Sequence, residues 1–523
     1  MDNFRRHGDR MESRPSRRRR ALAVPLGLVL TASLGLAGAA AASAQGTEGD
    51  AAPRVKAGEK LSYVVNTDTD RGTVKRVKRE IRKADGEVVA AYQKIGVIVA
   101  HSADPEFGRT LRAVEGVDSA GATRTTPLES ATTTEVGKPV FVKEPGKASA
   151  SAKKAEAKDQ EPLESLQWDK RAIKADKAAE VDEGSRKVTV GVVDTGVDDT
   201  HPDLKANFSA AQSANCVGGK ADTARGAWRP SDPAEDYHGT HVAGIIAADR
   251  NGVGVAGTAP GVKVSSIKVA EPKTSLFYGE AVVCAMVFAA DHGVAVTNNS
   301  YYTDPWLYNC DDQADQKAIA DAVQRAVSYA QRKGVTTVTS AGNSSQDHAA
   351  SEIVDETSPN DSTPVKRVID PATCKDVPTM LEGATSVSAT GAQNSKSYYS
   401  NYGLDQIDVT GPGGDRRYQT PDEPAKDGGV LSTMPNGEYA YLQGTSMAGP
   451  QVAGVAALLK STHPSSSAQE ISWLLKAQAQ SLPCPDSYDP DGEGTYAAKC
   501  TGMKGNNSFY GHGLVDALAA VTK

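Results

Sequence analysis

Hydrophobic and polar positions change rhythm three times along the chain. Arg17 to Arg20 precede an apolar run from Ala21 to about Gly38, and Ala42-Ser43-Ala44 follow it. A basic start, a short apolar stretch and a small-residue end make the pattern of an export signal, so residues 1–44 are expected to be cleaved off after Ala44. A membrane anchor is the alternative reading, but the run is short and rich in Ala and Gly. The next segment, 45–128, carries a small α/β pattern. Leu61 to Asn66 alternates as a strand does, Gly72 to Ala84 predicts a basic amphipathic helix, Val88 to Ala100 predicts strands with a turn near Ile95-Gly96, and Pro105 to Val114 predicts a second helix. Residues 129–165, rich in Lys, Ala, Glu, Ser and Thr, show no sustained periodicity and read as an exposed linker open to proteolysis.

From Trp168 onward short apolar runs alternate with helical patterns. Val188 to Val193, Val262 to Val269, Val294 to Asn298, Val335 to Thr339 and Thr385 to Ser388 predict buried strands. Tyr278 to His292, Gln313 to Lys333 and Ser446 to Ser461 predict helices. This alternation over 166–523 implies an α/β domain with a mostly parallel sheet covered on both faces, its active site beyond the carboxyl ends of the strands.

Composition narrows the function. The 523 residues carry a formal net charge of -7 with no dense basic patch, which sets nucleic acid aside as a partner. No later run is apolar and long enough to span a bilayer, so the mature chain is expected to be secreted, extracellular and free of the membrane, as a monomer. Six cysteines, all C-terminal, would meet an oxidising environment and form three disulfides. Cys484 and Cys500 are close enough to close a surface loop; the other pairings stay open. A zinc site is the rival, but no C-x-x-C pair or ligand-spaced His accompanies the cysteines.

Four residues carry candidate chemistry. Asp194 ends the apolar run Val188 to Val193, where a carboxylate is held by a rigid strand, although a turn residue would look the same. Asp194-Thr195-Gly196 also resembles an aspartic-protease signature, but that mechanism needs two copies and the chain has one. His238 opens a helix rich in small residues and can offer one ring nitrogen to a carboxylate and the other to a nucleophile. His241, one turn on, raises a metal alternative that lacks the glutamate of H-E-x-x-H. Ser446 lies in Gly444-Thr445-Ser446-Met447-Ala448-Gly449-Pro450 at the start of a buried helix, as a nucleophile or a plain N-cap. Pro450 is taken to fall where first-turn amides lack partners. Asn343, after the strand Val335 to Thr339, can donate to an oxyanion or simply make a turn.

Taken together, Asp194-Thr195-Gly196-Val197-Asp198 with His201-Pro202-Asp203-Leu204, His238-Gly239-Thr240-His241-Val242-Ala243-Gly244, Ala341-Gly342-Asn343 and Gly444-Thr445-Ser446-Met447-Ala448 resemble the motif set of subtilisin-like serine proteases. The resemblance implies a subtilisin-like three-layer fold preceded by a small α/β propeptide, a catalytic triad of Asp194, His238 and Ser446, and an oxyanion hole at Asn343. It implies substrate contacts at Ser300, Tyr301, Tyr302 and Gly342. No catalytic cofactor is implied. Structural calcium would sit at Asp203 and Asn251 in the loop Asp249 to Val255, for which an ordinary Asn-Gly turn is the alternative. The activity implied is that of a secreted serine endopeptidase acting on proteins or peptides through an acyl-enzyme, made as a self-processed zymogen with its own propeptide as intramolecular inhibitor.

The chain departs from the family where Gly449 and Gln451 replace the usual Ala and His, and altered packing is expected there. Ser300-Tyr301-Tyr302 replaces Ser-x-Gly, which narrows the cleft, and Glu271 to Gly279 on the opposing strand lacks the usual glycines. Polar insertions at Ser209 to Glu235 and Gln346 to Asp370 carry or flank Cys216 and Cys374. These features bring in a narrow-specificity processing protease as the alternative. An esterase using Ser446, Asp486 and His512 and an inactive protease-like binding protein rank below it.

Overall fold

Residues 60–125, 137–142 and 160–523 are described by the computed structural model; the expected export signal and most of the expected linker lie outside them. Strand β1 (Leu61–Thr67), helix α1 (Arg71–Lys83), strands β2 (Glu87–Tyr92) and β3 (Val97–Ser102), helix α2 (Phe107–Arg112) and strand β4 (Val117–Ala122) form an antiparallel sheet in the order β2-β3-β1-β4. Helix α1 buries Thr73, Val74, Val77 and Ile81 on one face, and the Asp70 carboxylate caps it by accepting from Thr73 N at 2.9 Å. Gly96 takes φ +66 in the β2–β3 connection, where a Cβ would strike the Thr67 carbonyl oxygen. The unit has its own core around Tyr63, Val65, Phe107 and Leu111. Inside the expected linker, Val140–Val142 forms a short strand, β5.

The main body is built on a seven-stranded parallel sheet. Its members are β6 (Thr189–Asp194), β7 (Ala214–Asn215), β8 (Lys263–Lys268), β9 (Val296–Asn299), β10 (Thr336–Ser340), β11 (Ala384–Thr390) and β12 (Val409–Pro412), in the order β12-β11-β10-β9-β6-β8-β7. Alternation assigns the faces: Val190 and Val192 of β6 join one core, while Val193 joins the other. Helices α3 (His238–Ala247), α6 (Thr445–Thr462) and α7 (Ala468–Gln478) cover the first face; α4 (Gly279–Asp291) and α5 (Ala314–Arg332) cover the second. This is the three-layer α/β arrangement expected from the sequence. β13 (Val430–Met434) and β14 (Glu438–Leu442) form a hairpin to which β5 adds antiparallel, with Tyr439 opposite Val142. Three disulfides form: Cys216–Cys284 and Cys310–Cys374 are buried, and Cys484–Cys500 closes a short C-terminal loop.

The N-terminal sheet rests on α5. Asn66 Nδ2 donates to the Ala318 carbonyl at 2.9 Å, Ser119 Oγ donates to Asp321 at 2.7 Å, and Arg325 pairs with Asp118 at 2.7 Å. On the other side, the Tyr92 hydroxyl donates to the Gly219 carbonyl at 2.7 Å.

Candidate active site

Strand β6 is central, and the chain leaves it to build β8 on one side before crossing over to β9 on the other. That reversal opens a crevice beyond the carboxyl ends of β6 and β9, the place where ligands bind in such sheets. Asp194 is the last residue of β6, and Ser300 follows β9 directly. Asp194 is fully buried, and its Oδ1 accepts from Thr195 N at 2.7 Å and faces His238 Nδ1 at 2.8 Å. Its Oδ2 has no hydrogen-bond partner among the described residues. His238 is the first residue of α3, and the helix starts flat against the Asp194 turn because Gly239 follows. A Cβ on Gly239 would come within 3.2 Å of Asp194 Oδ1. Gly239 N also donates to Thr195 Oγ1 at 3.0 Å.

Ser446 lies in the first turn of α6, which packs against α3. The helix begins at Thr445, so Pro450 is past the first turn, contrary to the sequence expectation. Lacking an N–H, Pro450 leaves the carbonyl four residues back, that of Ser446, without its helical donor. Ser300 Oγ fills the gap by donating to the Ser446 carbonyl at 3.2 Å, and Ser446 Oγ donates to the Ser300 carbonyl at 3.3 Å. The first turn of α6 is thereby stitched to the end of β9. Gly449 faces the same spot, where a Cβ would sit 3.2 Å from Asn298 Oδ1 and 3.5 Å from Ser300 Oγ. Gln451 reaches into a buried polar group: it accepts from Lys170 Nζ at 2.9 Å and from Thr258 Oγ1 at 2.6 Å, and donates to Asp169 at 2.7 Å. Burial lowers the Lys170 ammonium below its ordinary pKa, with Asp169 opposing the shift.

Asn343 lies just beyond β10. Its Oδ1 accepts from Thr445 N at 2.8 Å and Thr445 Oγ1 at 2.9 Å, which fixes the direction of its amide nitrogen. Thr445 Oγ1 also accepts from Gly342 N at 3.1 Å. The loop is held from below by the fully buried Asn401. That side chain accepts from Ser344 N at 2.9 Å and Gln346 N at 3.0 Å, and donates to the Ala341 carbonyl at 2.9 Å. Gly342, at φ +96, leaves the space Asn401 needs. Asn401 Nδ2 also lies 3.1 Å from His348 Nε2, and burial lowers His348 to a pKa of about 4, so the neutral ring can accept there.

The remaining sequence candidates separate. Tyr301 is buried, stacked on Phe277 with ring centroids 4.8 Å apart and donating to Asn299 at 3.0 Å; its side chain belongs to the core, not to a cleft wall. Tyr302 is half-buried and accepts from Asn360, in the second insertion, at 2.8 Å. His241, the weighed metal ligand, is buried against the Ala440 carbonyl at 3.0 Å and pushed down to about 3 by desolvation, as suits a neutral packing group. Asp486 of the esterase reading is exposed on the chain closed by Cys484–Cys500. Asp203 is buried; its Oδ2 accepts from Val255 N at 3.1 Å, and Asn251 Nδ2 lies 3.3 Å from its Oδ1. Glu161, which sequence reasoning missed, accepts from Gly252 N at 2.8 Å, and burial followed by the charge of Asp203 raises its carboxyl to about 7. No group of three or more His, Cys, Asp or Glu that could hold a metal ion occurs among the described residues. Thr445 and Asn401 were also missed. Asp376 was missed too: it is a buried carboxyl raised well above the ordinary range by desolvation, with Oδ2 3.8 Å from where a Gly342 Cβ would be. Only Thr445, a member of the serine motif whose role was not read, carried a sequence signal.

Comparison with known proteins identifies the family. The profile of the subtilase family matches residues 185–513. Subtilisin DY of Bacillus licheniformis is 28% identical over 352 residues, 66% of this chain and 96% of its own. The crystal structure of the epidermin leader peptide processing serine protease of Staphylococcus aureus is similar, with a TM-score of 0.61. It covers 88% of this chain and 98% of that one at 24% identity, a likeness that speaks for the fold alone. The crystal structure of a lanthipeptide protease has a TM-score of 0.51 at 26% identity, covering 69% of this chain and 95% of its own.

Proposed function

Because the chain belongs to the subtilase family and is a subtilisin-like serine endopeptidase, we propose that Asp194, His238 and Ser446 are its catalytic triad and that Asn343 lines its oxyanion hole. The observation that carries the assignment is the buried contact of Asp194 Oδ1 with His238 Nδ1, 2.8 Å, at the crevice where α6 presents Ser446. With Nδ1 turned to the carboxylate, Nε2 is the basic nitrogen, and it takes the Ser446 proton as Oγ attacks the scissile carbonyl. Asn343, clamped through its oxygen by Thr445, donates its amide to the oxyanion at the positive end of α6. His238 then protonates the leaving amine, and water, deprotonated by the same nitrogen, hydrolyses the acyl-enzyme. A fluorophosphonate probe tests the assignment: the expected mass shift falls on the peptide containing Ser446 and disappears in His238→Ala, whereas labelling elsewhere contradicts it.

Residues 45–128 are proposed to act as a propeptide that inhibits the enzyme until it is cut off within 129–165, after export directed by residues 1–44. The contacts of the N-terminal sheet with α5 support this reading. A narrow processing role is favoured over broad digestion. Tyr302 stands where the family has Gly, its hydroxyl is tied to Asn360 of the insertion, and the Cys310–Cys374 bridge anchors the chain beyond that insertion. One of the similar structures, at 26% identity, is a lanthipeptide protease, in keeping with that role.

Structural calcium is proposed at the loop around Asn251. Two buried carboxylates, Asp203 and Glu161, face it, the latter through its hydrogen bond from Gly252 N at 2.8 Å, and such a pair is the oxygen donor type that calcium takes. The Asn251 amide presents nitrogen to Asp203 and would have to turn to join the oxygen set. Chelation is expected to lower Tm in the parent and to leave Asp203→Asn unchanged; equal melting with and without chelator contradicts the site.

A further inference from the structure

Where the N-terminal unit ends, its last described residues enter the main body side chain first. The Arg124 guanidinium is 18% exposed; it pairs with Glu280 at 2.9 Å and Glu271 at 3.0 Å and lies 4.0 Å over the Tyr278 ring. Glu280 is fully buried in the first turn of α4, and its Oε2 has no hydrogen-bond partner among the described residues. Thr125, the next residue, is gripped from another side, its N donating to Asp361 of the second insertion at 2.7 Å. All three pocket residues belong to the main body, on or next to the segment Glu271 to Gly279. Arg124 belongs to the part that maturation would remove. With Arg124 gone, Glu280 would be a buried carboxylate without its cation, a costly state that another arginine relieves. A planar guanidinium fits two carboxylates and an aromatic face better than an ammonium does.

We infer that Glu271, Tyr278 and Glu280 form an arginine-binding subsite that selects substrates carrying Arg upstream of the scissile bond, with Arg124 as its built-in occupant. The inference rests on the endopeptidase reading above and supplies the substrate class that reading leaves open. It makes Glu280 and Glu271 specificity residues, recognising a side chain away from the reacting bond.

The test uses the matured enzyme and a peptide library randomised on both sides of the cut, followed by paired peptides with Arg or its neutral isostere citrulline at the enriched position. Arg is expected to be enriched at one fixed upstream position, and citrulline to lower kcat/KM roughly ten- to a hundredfold. In Glu271→Gln and Glu280→Gln the Arg/citrulline ratio is expected to fall toward one. Cleavage that depends on Ser446 but shows no upstream Arg preference overturns the subsite while leaving the protease reading intact, as does a ratio unchanged in both variants. Cleavage that survives Ser446→Ala overturns both. The citrulline comparison needs no variant, so a misfolded Glu280→Gln does not remove the test.

Discussion

Thr445 illustrates how one hydroxyl can tie a site together. It donates to Asn343 Oδ1 and accepts from Gly342 N, so it sets both the direction of the amide and the shape of its loop. Asn343→Leu is expected to lower kcat about 10²–10³-fold with KM little changed, a magnitude taken from the equivalent change in subtilisin itself. Thr445→Val keeps the shape but loses the hydroxyl, and a drop in kcat of roughly tenfold is expected from one hydrogen bond. Steady-state kinetics on one peptide checks both, and a Thr445→Val enzyme with parental kcat contradicts the positioning role. Asp194, His238, Asn343 and Ser446 were legible as candidates because each sits in a short motif at the end of a strand or the start of a helix. Asn401 and Asp376 were not: each acts across the fold from a stretch without periodicity, where only packing brings it beneath Gly342.

At the scale of elements, α6 departs most from what its sequence suggests. Pro450 inside the helix frees the Ser446 carbonyl, and β9 supplies the donor through Ser300. Gln451, one residue on, joins Lys170 to Asp169 in the interior. Replacing it by Leu takes one hydrogen bond from each buried charge and leaves their direct 3.4 Å pair in place. In a Ser446→Ala background, which prevents self-digestion, Gln451→Leu is expected to lose about 1–3 kcal/mol in urea unfolding, and an unchanged midpoint contradicts the bridging role. The strands and long helices of the main body were legible from periodicity, since they are buried on both faces or along one stripe. β5 was not, because three residues of polar-flanked sequence become a strand only when the edge of β14 is there to pair with.

The whole molecule keeps His241 and His348 neutral by burial, at about 3 and about 4 against an ordinary 6.5. The unfolded chain takes up protons on both rings below about pH 6.5, and the folded chain does not until far lower. The stability this gives is complete above 6.5 and is lost as pH falls toward 4 and then 3. Urea midpoints of the Ser446→Ala protein are expected to fall between pH 6.5 and 4, less steeply in His348→Gln; an equal slope in that variant removes His348 as a cause. Because His348 meets the donor face of Asn401, its protonation is expected to loosen the Asn343 loop as well. The three-layer architecture was legible from the alternation of strands and helices. The seat of Thr125 on Asp361 was not, since no periodicity encodes such a contact.

The most direct measurement compares peptide hydrolysis by the parent and by Ser446→Ala, both freed of the N-terminal unit by an unrelated protease at a site inserted between residues 143 and 159. A loss of about 10⁶-fold is expected, the size known for subtilisin's own serine. Hydrolysis by Ser446→Ala within tenfold of the parent would show that this serine is not the nucleophile.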